Sequence, residues 1–186
     1  MQLRSPDIAP KLTLPDAHGQ PIIIGGPRAK RTLLSFFRDP ACPFCNFRIY
    51  QLTSRHPQLA SHGLEVIALF SATADEVKRF VAQHPRPFPV IADPTSAAYD
   101  AYRVEHSRWA KFKAIITRLP TLLKGLRWVG WAGFKTNNVV PADFLIDEDG
   151  TIVEAYYGRD AGDHIPFERV ELFAARAVLR SNRVAA

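Results

Sequence analysis

The chain has two cysteines, and they stand two residues apart in Cys42-Pro43-Phe44-Cys45. The apolar run Thr32-Leu33-Leu34-Ser35-Phe36-Phe37 precedes them. A strand followed by a helix that opens at the first cysteine places that sulfur among unpaired backbone N–H groups, where the helix dipole favours a thiolate. A thiolate is the nucleophile of thiol chemistry, and a second thiol one turn along can capture the oxidised first one. The spacing therefore points to redox work, with Cys42 as nucleophile and the more exposed sulfur, and Cys45 as its resolving partner. Two other readings stand beside it: a pair of small thiols that fall together in a core, and half of a zinc site. Zinc needs four ligands, and His18, His56, His62, His84, His106 and His164 show no ligand spacing, so no metal is expected.

Residues around the pair bear on its charge. Asp39, three before Cys42, would either shuttle protons or brace the turn before Pro40. A carboxylate there opposes a thiolate unless the adjacent Arg38 cancels it. Pro43 falls in the first helical turn, where its missing N–H costs nothing.

A chain of 186 residues that is 47% apolar suits one α/β domain with an insertion. No stretch approaches ~18 uncharged apolar residues, and no apolar run follows Met1–Pro6. Neither a membrane-spanning helix nor a secretory signal is expected, and a cytoplasmic location is. In a reducing compartment a C-x-x-C is more often catalytic or metal-binding than a structural staple. The net charge of +6 is local. Residues 103–135 hold eight basic residues against Glu105 alone, a net +7 that leaves the rest at −1. Specific nucleic-acid binding would want that charge spread over a recognised binding fold, and is not expected.

Strands and helices alternate around the motif. Residues 11–14 and 21–24 flank a turn at Asp16-Ala17-His18-Gly19 and read as a hairpin. Arg31–Phe37, Leu64–Phe70 and Phe88–Ala92 read as buried strands. A helix runs from Pro43 to about Ser61, bent or ended by Pro57; a second, capped by Ser71 or Thr73, runs to about His84. A short helix near Ser96–Tyr102 follows. Late in the chain, 143–147 and 151–157 flank Glu148-Asp149-Gly150 as a hairpin, and a helix from about Pro166 to about Leu179 closes the chain. Polar, Gly-rich 157–164 reads as a plain loop. In the insertion, Trp109, Phe112, Ile116, Leu119, Leu123 and Leu126 form one apolar helical stripe broken by Pro120. It packs on the domain or on a second copy, or else serves as a basic element for a membrane surface, an acidic partner or a lid.

Three segments together resemble the alkyl hydroperoxide reductase and thiol-specific antioxidant (peroxiredoxin-like) family of the thioredoxin fold. They are Ala9–Pro15 with Gly19, Phe36–Cys45, and Pro141-Ala142-Asp143-Phe144-Leu145-Ile146-Asp147-Glu148-Asp149-Gly150. The resemblance implies a single thioredoxin-like α/β domain over 1–186, with a central mixed sheet flanked by helices, an N-terminal β-hairpin and a helical basic insertion at 103–138. It implies a thiol-dependent antioxidant oxidoreductase working through Cys42 and Cys45, with Arg38, Asp39, Pro43, Phe44 and Pro141 shaping the site. No bound cofactor is implied, but an external thiol reductant is: thioredoxin, glutaredoxin or glutathione. The partners are then a peroxide or disulfide, that reductant, and a second copy in a homodimer; peripheral membrane contact through 103–135 is the less favoured use of the insertion.

The departures are specific. The family places a Pro seven residues and a Thr or Ser three residues before its peroxidatic cysteine, where this chain has Ser35 and Asp39. Its second-site arginine falls at Pro141, which looks instead like the cis-proline that faces the C-x-x-C of thioredoxin-type enzymes. Arg38 or Arg159 would have to replace that arginine. Disulfide reduction is thus the alternative within the same chemistry, and a redox-sensing scaffold docking through the insertion is the alternative outside it.

Overall fold

The computed structural model describes residues 1–81, 83, 85–104 and 139–184. Its organising element is β3 (Arg31–Phe37), buried along its whole length. A strand covered on both faces must be apolar at successive positions, and Leu33, Leu34, Phe36 and Phe37 meet that demand. β3 pairs in parallel with β4 (Leu64–Phe70), and β4 in parallel with β5 (Val90–Ala92). Its other edge pairs antiparallel with β6 (Ala142–Ile146), which pairs antiparallel with β7 (Ile152–Tyr157). The result is the expected mixed sheet, in the order β5-β4-β3-β6-β7. β1 (Leu12–Pro15) and β2 (Pro21–Ile24) form the expected separate hairpin.

Four helices complete the described chain: α1 (Pro43–Ser61), α2 (Ala74–Phe80), α3 (Ala97–Ala101) and α4 (Phe167–Val184). α1 runs through Pro57 instead of ending there. α2 stops short of His84; Thr73 caps it in a reciprocal box with Glu76, whose carboxylate accepts the Thr73 N–H at 2.9 Å. From residue 105 to 138 the expected basic insertion lies outside the described residues. Among those described, no helix is long and apolar enough to cross a membrane.

Side-chain alternation along β3 divides the core. Leu33 and Phe37 pack with α1, α2 and α4, whereas Leu34 and Phe36 pack with the hairpin and α3. On the second face Phe36 meets Tyr99, Tyr102 and Phe144 at ring-centroid distances of 5.1, 5.1 and 5.6 Å. Edge-on and tilted rings at that spacing add to the area they bury. The Tyr99 hydroxyl donates to the carbonyls of Phe37 at 2.6 Å and Leu69 at 3.0 Å, tying together the C-terminal ends of the two central strands. The Cys42–Cys45 segment starts from that edge.

Phe36→Ala empties the centre of the aromatic cluster, and a loss of about 3–5 kcal/mol is expected. Urea unfolding, read as a lower midpoint at unchanged slope, measures it.

Candidate active site

The loop between β3 and α1 brings a charge and a thiol together. Arg38 follows the last residue of β3, and Cys42 is the N-cap of α1, with Pro43 at its first turn. Local hydrogen bonds set the loop's path. The Cys42 N–H donates to the Asp39 carbonyl at 3.0 Å, and the Ala41 N–H to Asp39 Oδ1 at 2.8 Å. Asn46 reaches back from α1, donating through Nδ2 to the carbonyls of Pro40 at 2.5 Å and Cys42 at 3.2 Å. Within this frame Arg38 Nη1 lies 3.6 Å from Cys42 Sγ.

A helix N-cap is usually a side-chain oxygen that accepts an orphan N–H, and no such cap bond or first-turn acid is present on α1. The sulfur stands in that place. Burial pushes the Cys42 pKa up, but the Cys45 thiol, the Arg38 guanidinium and the backbone N–H groups of Cys45 and Phe44 outweigh it, and the pKa falls to about 7. Cys45 goes the other way: burial, its hydrogen bond to Cys42 and the neighbouring anion raise it well above the usual thiol range. As pH rises through about 7, the pair therefore passes to one proton, on Cys45, and one negative charge, on Cys42. Both cysteines are free thiols in this structure.

Four expectations from the sequence meet this geometry differently. Arg38 reaches the sulfur, and it is 2% exposed. Arg159 does not serve as its equivalent: its side chain is 82% exposed and is paired with Asp163. Asp39 braces the turn, as one of its two readings held. Cys42, expected as the more exposed sulfur, is 1% exposed against 0% for Cys45, so both are buried. Its place below the first turn of α1, with Phe44 packed in the same core, covers it.

Pro141 is corrected as well. The cis peptide bond among the described residues is Ser5–Pro6, so Pro141 enters β6 through a trans bond. Trans is the ordinary state of an X–Pro bond, and Pro141 stands just ahead of its strand with its carbonyl accepting the Gly158 N–H at 2.9 Å. A Cβ on Gly158 would come within 2.3 Å of the Asp163 carbonyl oxygen and 2.9 Å of that of Pro141, so only glycine fits this close approach.

Sequence reasoning missed a second buried charged group beneath α1. Asp143 on β6 registers opposite Ser35 and is 0% exposed. Its carboxylate takes the Ile165 N–H at 2.8 Å and lies 3.0 and 3.2 Å from His164 Nδ1. An ionised carboxylate only accepts, so Nδ1 carries the proton. Burial raises the Asp143 pKa, but His164 and Arg48 on α1 outweigh it and the net shift is downward. Arg48 Nη2 donates to the Ile165 carbonyl at 2.6 Å, and its guanidinium stacks 3.7 Å above the Phe167 ring. The segment read as a plain loop is thus held from both sides, by the sheet and by α1. His164 also touches the Phe37 ring, 4.8 Å between centroids, one residue before Arg38. Only the acidic residue inside an otherwise apolar strand, Asp143, signalled any of this in the sequence.

Comparison with known proteins adds a family. The AhpC/TSA family model matches residues 6–155. A chain of Mycobacterium tuberculosis named as a peroxiredoxin is 23% identical over 166 residues, covering 89% of this chain and 92% of that one. Peroxidoxin BcpB of the same organism superposes with a TM-score of 0.65 at 14% identity, over 94% of this chain and 98% of the other. A DsbE-type thiol:disulfide interchange protein of Chlorobium tepidum gives 0.61 at 20% identity, over 94% and 99%. The two superpositions are likenesses of fold.

Two measurements check the electrostatics. Thiolate absorbance of the reduced protein should rise with a midpoint at about pH 7, and Cys42→Ser should remove that step. For Asp143 the folded pKa lies below the ordinary 3.8, so its stabilisation is present above that value and lost as pH falls through the folded pKa. Asp143→Asn should cost about 1.5–3 kcal/mol near neutral pH, since the buried His164 Nδ1–H and Ile165 N–H lose a charged acceptor. It should also flatten the acid limb of stability measured by urea unfolding below about pH 4.

Proposed function

This chain belongs to the AhpC/TSA family of oxidoreductases, and from that premise we propose that it reduces peroxides through a Cys42/Cys45 dithiol–disulfide cycle. The observation that carries the reading is a buried sulfur with a guanidinium at 3.6 Å and a second thiol hydrogen-bonded to it. In the first step the Cys42 thiolate attacks one oxygen of the peroxide and the O–O bond breaks. The leaving alkoxide or hydroxide takes a proton, and Cys42 is left as a sulfenic acid. Cys45 then attacks the Cys42 sulfur; the S–S bond forms, and hydroxide departs as water with the Cys45 proton. An external thiol reductant (thioredoxin, glutaredoxin or glutathione) returns two electrons and restores the pair.

Burial selects the oxidant. A hydroperoxide is small and neutral, so it can approach a sulfur that is 1% exposed. A protein disulfide must bring its own backbone in line with the attacking sulfur. Arg38 offers positive charge where the O–O bond polarises, which offsets the absence of a hydroxyl at Asp39. The M. tuberculosis relative's name as a peroxiredoxin points the same way. A second reading keeps the pair and changes the substrate to a small disulfide. It is favoured by Ser35 and Asp39 standing where the family has Pro and Thr or Ser.

Mass spectrometry after a brief peroxide pulse tests the cycle. Wild type should lose two hydrogens as the disulfide closes, and Cys45→Ser should stop one oxygen heavier at Cys42. Cys42→Ser should reduce peroxide turnover to background, and turnover that survives it rejects the nucleophile. The rate of Cys42 oxidation should climb with pH to a plateau above about 7. Wild type inert toward peroxide but active on a model disulfide selects the second reading.

A further inference from the structure

Every contact that holds the Cys42 charge acts on a thiolate and not on a disulfide. Arg38 Nη1 lies 3.6 Å from the sulfur, with the guanidinium and the cysteine 2% and 1% exposed. The N–H groups of Phe44 and Cys45 and the Cys45 thiol complete the set. When Cys42 and Cys45 join, the sulfur loses its charge, and the Cys45 proton that was shared with it is gone. A group that binds one state of an equilibrium more tightly than the other draws the equilibrium toward that state by the difference. At low local dielectric the difference for a charged donor is large.

We propose that Arg38 sets the redox equilibrium of the Cys42–Cys45 pair, making its disulfide an oxidising one that simple monothiols reduce. The proposal rests on reading the two cysteines as one dithiol–disulfide couple, and it names the class of electron donor that this couple accepts. The exchange balances: the disulfide and two monothiols give the Cys42 thiolate, the Cys45 thiol, one donor disulfide and one proton. Two electrons pass from the donors to the pair. A structural disulfide resists the glutathione pool, whereas one whose reduced form is stabilised yields to it. Arg38 thus has a role in the reductive half of the cycle that is separate from any effect on the peroxide. It also accounts for an arginine at the end of a buried strand, where a neutral residue would be cheaper to cover.

The experiment equilibrates wild type, Arg38→Met, Arg38→Lys and Arg159→Met in glutathione buffers at about pH 8.5, where the wild-type Cys42 is almost wholly thiolate, and reads the oxidised fraction by mass after alkylation. Arg38→Met should make the disulfide harder to reduce by at least about tenfold in the equilibrium constant, about 30 mV for this two-electron couple. Arg38→Lys, which keeps a charge but not its fork, should fall between the two. Arg159→Met, altering an exposed side chain paired with Asp163, should match wild type. An Arg38→Met constant within about twofold of wild type, or one shifted toward easier reduction, overturns the proposal. If Arg38→Met does not fold, Arg38→Lys decides, and a constant equal to wild type overturns it. Peroxide turnover measured in parallel separates the two readings. Turnover without an Arg38-dependent constant sinks this proposal alone, and an Arg38-dependent constant without turnover sinks the peroxide reading alone.

Discussion

A negative charge held below the surface is the constraint around which the site is organised. Burial alone would keep Cys42 protonated, and four donors converge to reverse that. They come from three structural decisions. The N–H groups are orphans of the first turn of α1, and they face the sulfur because Cys42 occupies the N-cap position. Arg38 arrives from the end of β3, and Cys45 from one turn further into α1. The geometry holds only if β3 ends, the loop turns and α1 begins in register, and Asp39 and Asn46 hydrogen-bond the loop into that register.

Separation of the two thiol pKa values follows from the same arrangement. Two sulfurs in one buried site cannot both ionise cheaply, so the one with the better donors takes the charge and its neighbour keeps the proton. The first cysteine of the motif thereby carries the more acidic thiol and the second the less acidic one. The asymmetry comes from the position of the helix end and of Arg38, since the two residues are chemically identical.

A second charge, on Asp143, is buried on the sheet face that α1 covers, and its partners are long-range. His164 and Ile165 belong to the approach to α4, and Arg48 belongs to α1. The network joins the β6 strand, the loop before α4 and α1 into one polar clasp inside an apolar layer. Buried ionic groups of this kind are costly unless every member is placed, which makes them better at specifying an arrangement than at stabilising it. On the opposite face the same strands rest on the Phe36 aromatic cluster, so the edge from which Arg38 departs is held from both sides.

The elements were legible because they rest on local physics. Consecutive apolar residues mark β3 and β4, the Glu148-Asp149-Gly150 turn marks the β6–β7 hairpin, and Thr73 with Glu76 marks the start of α2. Cys42 and Cys45 were legible because helix-end chemistry depends on neighbours within one turn. The sequence by itself therefore determined the fold class, the dithiol and the direction of its polarity. Only the tertiary structure decided that Arg38 and not Arg159 reaches the sulfur, that both thiols are covered, and that Pro141 enters its strand in trans. It also placed Asp143 against His164 and Arg48. Those outcomes depend on contacts between segments as many as 117 residues apart, and no local propensity encodes which distant side chain will meet a buried charge.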